Sequence, residues 1–324
     1  MKLLSPTLMT VGLLAWSALA APALAQDYPT RPIRMVVPYA AGGGTDFVAR
    51  AVSERMATTL GQPVVIDNKA GANGAIGSDM VAKASPDGYT LLTGAAGTLV
   101  VGPHLGPLPF DPARDLVPIT NLGTSAFIVA VNPNVPVKSL AELIALAKSQ
   151  PGKINYGSSG TGGSPHLATE LFQSMAGVQM SHVPYKGLSL AITDLLGGHI
   201  QVLFVDVGLA VPFIKDNRMK ALAITGARRS EVLPAVPTVA EAGVPGYDAR
   251  TWYGLLAPAG TPQPIIDKIA AAANKALESP DMRARLATQG LEAAGGTPEQ
   301  FATFMRGESA KWAQVIKKAS IKAD

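Results

Sequence analysis

Two stretches hold most of the side chains whose types and spacing could do chemistry. One is Pro38-Tyr39-Ala40-Ala41-Gly42-Gly43-Gly44-Thr45-Asp46. The other is Gly157-Ser158-Ser159-Gly160-Thr161-Gly162-Gly163-Ser164-Pro165-His166. Each follows a short apolar run and precedes a helical pattern. Backbone N–H groups are then left unpaired at a strand end, beside the positive end of a helix dipole, where an anion is attracted. Nucleotide loops fit poorly. A Walker loop needs Gly-Lys-Ser/Thr, and no lysine follows Gly44. The GxGxxG fingerprint matches neither the three adjacent glycines nor the GxxGxxG of Gly71, Gly74 and Gly77. The first stretch reads as a generic anion cradle with Thr45 and Asp46 at its mouth, and the second repeats its layout.

Ser158, Ser159 and Ser164 near His166 raise a rival reading, a serine hydrolase. The GxSxG elbow is absent, and Ser164 and His166, two apart at a helix start, would face different ways. His104, His166, His182 and His199 show no HxxxH spacing, so no metal site is expected. The chain has no cysteine, which excludes disulfides and thiol catalysis. No cofactor is expected.

The elements that must position these residues follow from pattern. Ile33 to Val37 is a β-branched strand, ended by Pro38, and Val48, Val52, Met56 and Leu60 mark one face of the next helix, capped by Thr45-Asp46. Val64 to Ile66 and Tyr89 to Thr93 are further strands, the second ending in Gly94-Ala95-Ala96-Gly97-Thr98. Three strand ends in one region thus carry small-residue loops; if parallel, these loops converge on one sheet edge. Phe127 to Val131 is a fourth strand. Ser139 to Glu142 predicts a capping box, Ile154 to Tyr156 a strand, and Ser164 an N-cap with Pro165 in the first turn. Gln201 to Val205 leads to Asp206, Met219 to Thr225 is a strand, and a short helix is expected around Val239-Ala240-Glu241. After the apolar run Trp252 to Ala257 the remainder reads as helical, including a capping box at Thr297-Pro298-Glu299-Gln300.

The 324 residues suffice for two cores; 48% are apolar and only 15% charged, and the net charge of +4 forms no basic stripe, which argues against nucleic acid. Lys2, the apolar stretch Leu8 to Leu19 and Ala23-Leu24-Ala25 read as a cleaved signal peptide over 1–25, with a soluble mature chain from Gln26.

Several segments together resemble the substrate-binding proteins of tripartite tricarboxylate transporters, the Bug or TctC family. They are Tyr28-Pro29-Thr30-Arg31-Pro32-Ile33-Arg34, Val36-Val37-Pro38-Tyr39 with Gly42, Gly43 and Asp46, and Pro86-Asp87-Gly88-Tyr89-Thr90-Leu91-Leu92. Further on come Val183-Pro184-Tyr185-Lys186-Gly187, Val236-Pro237-Thr238-Val239-Ala240-Glu241-Ala242-Gly243 and Trp252-Tyr253-Gly254-Leu255-Leu256-Ala257-Pro258. The resemblance implies an α/β fold of the periplasmic binding protein type II, with two α/β domains joined by two crossing hinge strands. Domain 1 would be discontinuous, 26–128 and 252–324, and domain 2 would be 129–251. It implies a periplasmic, monomeric protein that closes on a small carboxylate and delivers it to a membrane permease. A ligand sensor acting on a signalling receptor would use the same pocket.

The same resemblance carries Gly43, Thr45 and Asp46 from the first loop to the ligand, and Ser159, Gly160, Thr161 and Ser164 from the second loop, with Tyr185 and Asp206 at other pocket positions; Tyr39 and Thr98, in the small-residue loops beside the first, are further candidate ligand residues. Two plainer roles stay open: Asp46 as a helix cap and Asp206 as a hinge hydrogen bond. Lys186 is either a carboxylate partner or a solvated lysine. Tyr39 and Ala41 stand where the family commonly has phenylalanine and proline.

Overall fold

The computed structural model describes residues 28–185 and 187–321. The expected signal peptide and Lys186 lie outside the described residues. Ten strands form one curled sheet: β1 Ile33–Val37, β2 Val64–Asn68, β3 Thr90–Ala95, β4 Leu116–Val131, β5 Asn155–Ser158, β6 Ser181–Pro184, β7 Val202–Asp206, β8 Lys220–Ile224, β9 Arg250–Pro258 and β10 Leu291–Gly295. Their order is β2-β1-β3-β9-β4-β7-β5-β6, and β8 and β10 also pair with β4. This is the expected α/β class.

The strand β4 organises the sheet. It is sixteen residues long, although only its last five, Phe127–Val131, stand out as an apolar run. Residues 116–126 pair antiparallel with β9, and Phe127 to Val131 pair antiparallel with β7 and, for the most part, β8. The polar residues Thr120, Asn121, Thr124 and Ser125 disguise the first part in sequence. They are buried because β9 and β10 flank them.

The register sets the direction of every loop. β1 is parallel to β2 and β3, and β3 and β4 both run antiparallel to β9, so β1, β2, β3 and β4 share one direction. β7 opposes β4 and is parallel to β5, which is parallel to β6. The carboxyl ends of β1, β2 and β3 therefore point along β4, and those of β5, β6 and β7 point back. Ala95 is level with Tyr253 and thus with Gly123 of β4, whereas Asp206 is level with Phe127. Four residues of strand separate these levels, about 13 Å at ~3.3 Å per residue.

Two core clusters serve the two ends of the sheet separately. One packs β1 beneath helices Gly44–Leu60 and Gln263–Glu278; the other packs Ile128, Leu203 and Val205 against helix Leu188–Gly197. A third joins both ends through Trp252, Phe301, Trp312 and Phe172. The last helix, Pro298–Ala319, accordingly packs on β4 and also on helix Ser164–Ala176.

Local expectations fare unevenly. Thr297 and Gln300 form the predicted reciprocal capping box. Ser139 caps its helix by accepting from Glu142 N, but the Glu142 carboxylate takes the N–H of Lys138 instead of closing a box on Ser139. Residues around Val239 form turns instead of a helix, stabilised by reciprocal Thr238 and Glu241 bonds. β10 was not expected within the helical tail; its five residues, Leu-Glu-Ala-Ala-Gly, are poor strand formers held by pairing with β4.

In β9, a Cβ on Gly254 would overlap the ring of Phe301, which is itself buried against Trp252. Gly254→Ala is therefore expected to destabilise by about 1–3 kcal/mol through overpacking. A thermal scan should show a midpoint lowered by a few degrees.

Candidate functional site

Both glycine loops end at helices that no side chain caps. The first helix starts at Gly44 with Gly43 in the N-cap position, and the second starts at Ser164 with Gly163 there. The expected caps Thr45 and Ser164 thus sit inside their first turns. The contrast with other helices is informative. Ser139, Ser279 and Thr297 cap the helices that follow them. The five helices that follow β1, β2, β5, β6 and β7 have no side-chain cap; among the described residues, helix Gln263–Glu278, opened by Pro262, is the other such case among helices of eight residues or more. Given the strand directions, the five uncapped N-termini face one gap from both ends of the sheet.

Asp46 explains how the first loop keeps its shape. Its carboxylate accepts from Gly42 N, Arg50 Nε and Asn68 Nδ2, each at 2.9 Å. Burial raises its pKa, but these three donors outweigh that, and the carboxyl is held below its usual range. Asn68 also donates to the Tyr39 carbonyl and accepts from Arg50. Asp46 therefore fastens the loop from behind, while the backbone of Ala40 to Gly44 stays exposed.

Thr98 ties the three loops of this end together. Its hydroxyl donates to the Asn73 carbonyl at 2.6 Å and lies 2.6 Å from the Tyr39 hydroxyl. Gly74, at φ 88°, makes the close approach possible, since a Cβ there would sit 2.5 Å from Thr98 Oγ1. The Tyr39 hydroxyl that makes this bond is what a phenylalanine would lack. Thr98 belongs to a single turn of π-helix, Gly97–Val101.

On the other end, the hydroxyls of Ser159, Thr161 and Ser164 are part-buried and have no hydrogen-bond partner among the described residues; Thr45 in the first loop is buried and likewise has none. These are the side-chain donors available to a ligand. Gly160, at φ 127°, turns the second loop against the Tyr185 carbonyl. Tyr185 itself donates its hydroxyl to Asp194 at 2.6 Å, and burial with the Asp194 charge pushes its pKa up to about 12, so it offers a ring face and no hydroxyl.

Asp206 ends β7 next to the gap. Its carboxylate bonds no other described residue, and burial pushes its pKa up to about 6. Tyr253, which the sequence reading did not place in the site, lies beside it. The Tyr253 hydroxyl occupies the space a Cβ on Gly44 would need, and burial, then the Asp206 and Tyr39 groups, hold it above the usual tyrosine range. The alternation of β9, with Trp252 in one core cluster and Tyr253 in the other, is the signal that could have found it. Gly208, just beyond Asp206, has a packing role: a Cβ there would sit 2.5 Å from the Gln289 carbonyl oxygen.

The serine–histidine content resolves differently from its sequence spacing. Ser158 Oγ lies 2.6 Å from His182 Nε2, accepts from Gly160 N and contacts the Gly160 carbonyl at 3.1 Å. It is fully buried, which suits loop anchoring and not attack on a substrate. Among the described residues no group of His, Cys, Asp or Glu could hold a metal ion, and no helix is long and apolar enough to cross a membrane.

Comparison with known proteins agrees on one family. Residues 48–321 match the family model described as tripartite tricarboxylate transporter family receptor. The protein BugT of Bordetella pertussis is 39% identical over 311 residues, 95% of each chain. Among solved structures, an R. palustris protein with adipate has a TM-score of 0.82 at 36% identity, covering 91% of this chain and 99% of its own. The periplasmic binding protein BugD has a TM-score of 0.78 at 34% identity, covering 92% and 100%. MatC from Rhodopseudomonas palustris, with bound malate, has a TM-score of 0.77 at 34% identity, covering 89% and 100%. The family and these neighbours are solute-binding proteins, not enzymes.

The raised pKa of Asp206 makes stability depend on pH. An unfolded aspartate titrates near about 3.9. Between that value and about 6 the folded state holds the extra proton, so stability is lost as pH rises through this window. Asp206→Asn removes the penalty. The variant should exceed the wild type by roughly 1 kcal/mol at about pH 8, a figure discounted for partial exposure, and match it near pH 4. Equal thermal midpoints at both pH values would show that the Asp206 charge carries no burial penalty.

Proposed function

The chain belongs to the tripartite tricarboxylate transporter receptor family, and from that premise we propose that it captures a small carboxylate in the gap between its two glycine loops and delivers it to a membrane permease. The observation that carries this reading is the pair of uncapped helix N-termini, at Gly44 and Ser164, with the uncommitted hydroxyls of Thr45, Ser159, Thr161 and Ser164 around them. Such an arrangement supplies N–H and O–H donors and a favourable dipole to an anion at either end. Structural neighbours with adipate and malate support a ligand carrying a carboxylate at each end. The roughly 13 Å between the loop levels leaves room for such a molecule and its bridging waters.

Tyr39 and Tyr185 line the middle of this gap with ring faces, and Gly43 keeps its backbone N–H accessible, whereas the Gly160 N–H is spent on Ser158 and Gly160 serves by turning the loop. Asp206 sits where a second negative charge would be repelled unless the ligand or the aspartate carries a proton there. A hydroxyl on the ligand could donate to it directly. The two domains are 26–128 with 252–324, and 129–251, and closure pivots where β4 exchanges β9 for β7. A ligand touching both loops stabilises the closed form by its differential affinity for it. Export by a cleaved segment at 1–25 would place the monomer in the periplasm, where the permease can receive its ligand.

Thermal unfolding against a panel of diacids and their amides tests the reading. Adipate or malate at about 100 times its dissociation constant should add roughly 2.7 kcal/mol, a shift of several degrees, and the amides should add nothing. Thr45→Val and Ser164→Ala should each weaken binding about 5- to 10-fold by removing one donor, with the unliganded midpoint unchanged. Unchanged affinity in both variants, read by calorimetry, would remove the two loops from the site.

A further inference from the structure

The second glycine loop is held from behind by two stacked histidines. The rings of His166 and His182 lie 3.9 Å apart between centroids and are nearly parallel, at 8°. The Tyr156 ring stacks on His182 at 5.0 Å. Each imidazole engages the loop. His166 Nδ1 accepts the Gly162 N–H at 3.0 Å, and His182 Nε2 meets Ser158 Oγ, which in turn binds both the N–H and the carbonyl of Gly160. Two of the loop's backbone amides, those of Gly160 and Gly162, thus depend on this pair directly or through one hydroxyl.

The His166 bond assigns its protonation. A ring nitrogen that accepts an N–H carries no proton, so His166 is neutral here with its hydrogen on Nε2. That Nε2 lies 4.0 Å from Glu170 Oε1. Among the described residues, Tyr156, His182 and Glu170 face the ring. Glu170 accepts from the Tyr156 hydroxyl and from Gln173 Nε2, both at 2.5 Å. Burial raises its pKa above the usual range against these two donors, and in its charged form it favours a charged His166. Burial, the stacked second imidazole and the Gly162 N–H oppose one, because protonation would set two donors against each other.

We propose that His166 positions the 158–163 loop as a proton-sensitive clamp: uptake of a proton at Nδ1 forfeits the Gly162 N–H and loosens the loop. The charged ring then turns toward Glu170. Histidine changes charge within the range an exposed compartment can reach. This inference rests on reading the loop as half of the ligand site, which makes ligand affinity fall as pH falls. Asp206 acts in the opposite sense, since its protonation removes a repulsion.

Amide and imidazole resonances of the unliganded wild type, followed by NMR from about pH 7.5 to 5, test the clamp without any variant. The Gly162 amide should move with the same midpoint as the His166 ring. In His166→Asn, whose side-chain oxygen can accept the same N–H but does not titrate, it should stay fixed. Over the same range, affinity for malate or adipate should fall about fivefold more in wild type than in His166→Asn, a comparison in which Asp206 and the ligand's own titration cancel. His166→Phe, which keeps the ring and loses the acceptor, should bind weakly at every pH. A stationary Gly162 amide while His166 titrates, or identical pH profiles in wild type and His166→Asn, would overturn the clamp. If neither acid binds at any pH while the amide still follows His166, the ligand-site reading falls and the clamp stands.

Discussion

Backbone N–H groups left without partners are the constraint on which this structure depends. A helix start exposes several such donors, and most proteins satisfy one or more with a Ser, Thr, Asp or Asn side chain. Here Ser139, Ser279 and Thr297 do so for the helices that follow them, whereas the helices opening at Gly44, Ala75, Ser164, Leu188 and Val207 have no such cap. Those five share one location, the facing strand ends. Water satisfies such donors at modest cost, and an anion satisfies them better. The loops must then hold their shape without a cap, and the structure supplies other fasteners: Asp46 and Asn68 for the first, Thr98 between the first three, Ser158 with His182 and His166 for the second.

The facing arrangement is a property of strand direction. Because β4 runs on past β9 into pairing with β7, two groups of parallel strands point at each other along one continuous backbone. Relative motion of the two groups, as proposed for closure, would be concentrated near Ala126 and Phe127, where β4 changes partners. Gly208 against Gln289 and Gly290 against Val207 pack closely beside that place, so substitutions there would act on the proposed pivot more than on the proposed ligand contacts. The last helix, which touches both ends of the sheet, limits how freely they separate.

Asp206 and Tyr253 set the character of the gap's floor. A carboxylate with a raised pKa beside a tyrosine hydroxyl is an unusual neighbour for the proposed anion site. Under the proposed reading it would make the site a poor place for a densely charged ligand and a better one for an acid that brings its own hydrogen-bond donor. The family resemblance pointed to Asp206, but neither its pKa nor Tyr253 beside it could be derived from spacing.

The sequence by itself determined the α/β class, the two glycine loops after strands and the family, because short-range patterns of apolar period, Gly and Pro report local backbone geometry directly. Where local propensity opposes the final structure, reading by pattern fails. The first eleven residues of β4 mix apolar with polar and small residues and β10 is mostly small or polar; they are strands because β9 pairs along 116–126 and β10 pairs along 121–125 of β4. Ser164 has the identity of a cap but lies one residue inside its helix. Only the tertiary structure decided that Asp46 fastens a loop, that Ser158 pairs with His182 instead of His166, and that the uncapped helix ends converge. Those facts depend on strand order and direction, which arise from pairing between residues far apart in sequence and leave no periodic trace in either partner.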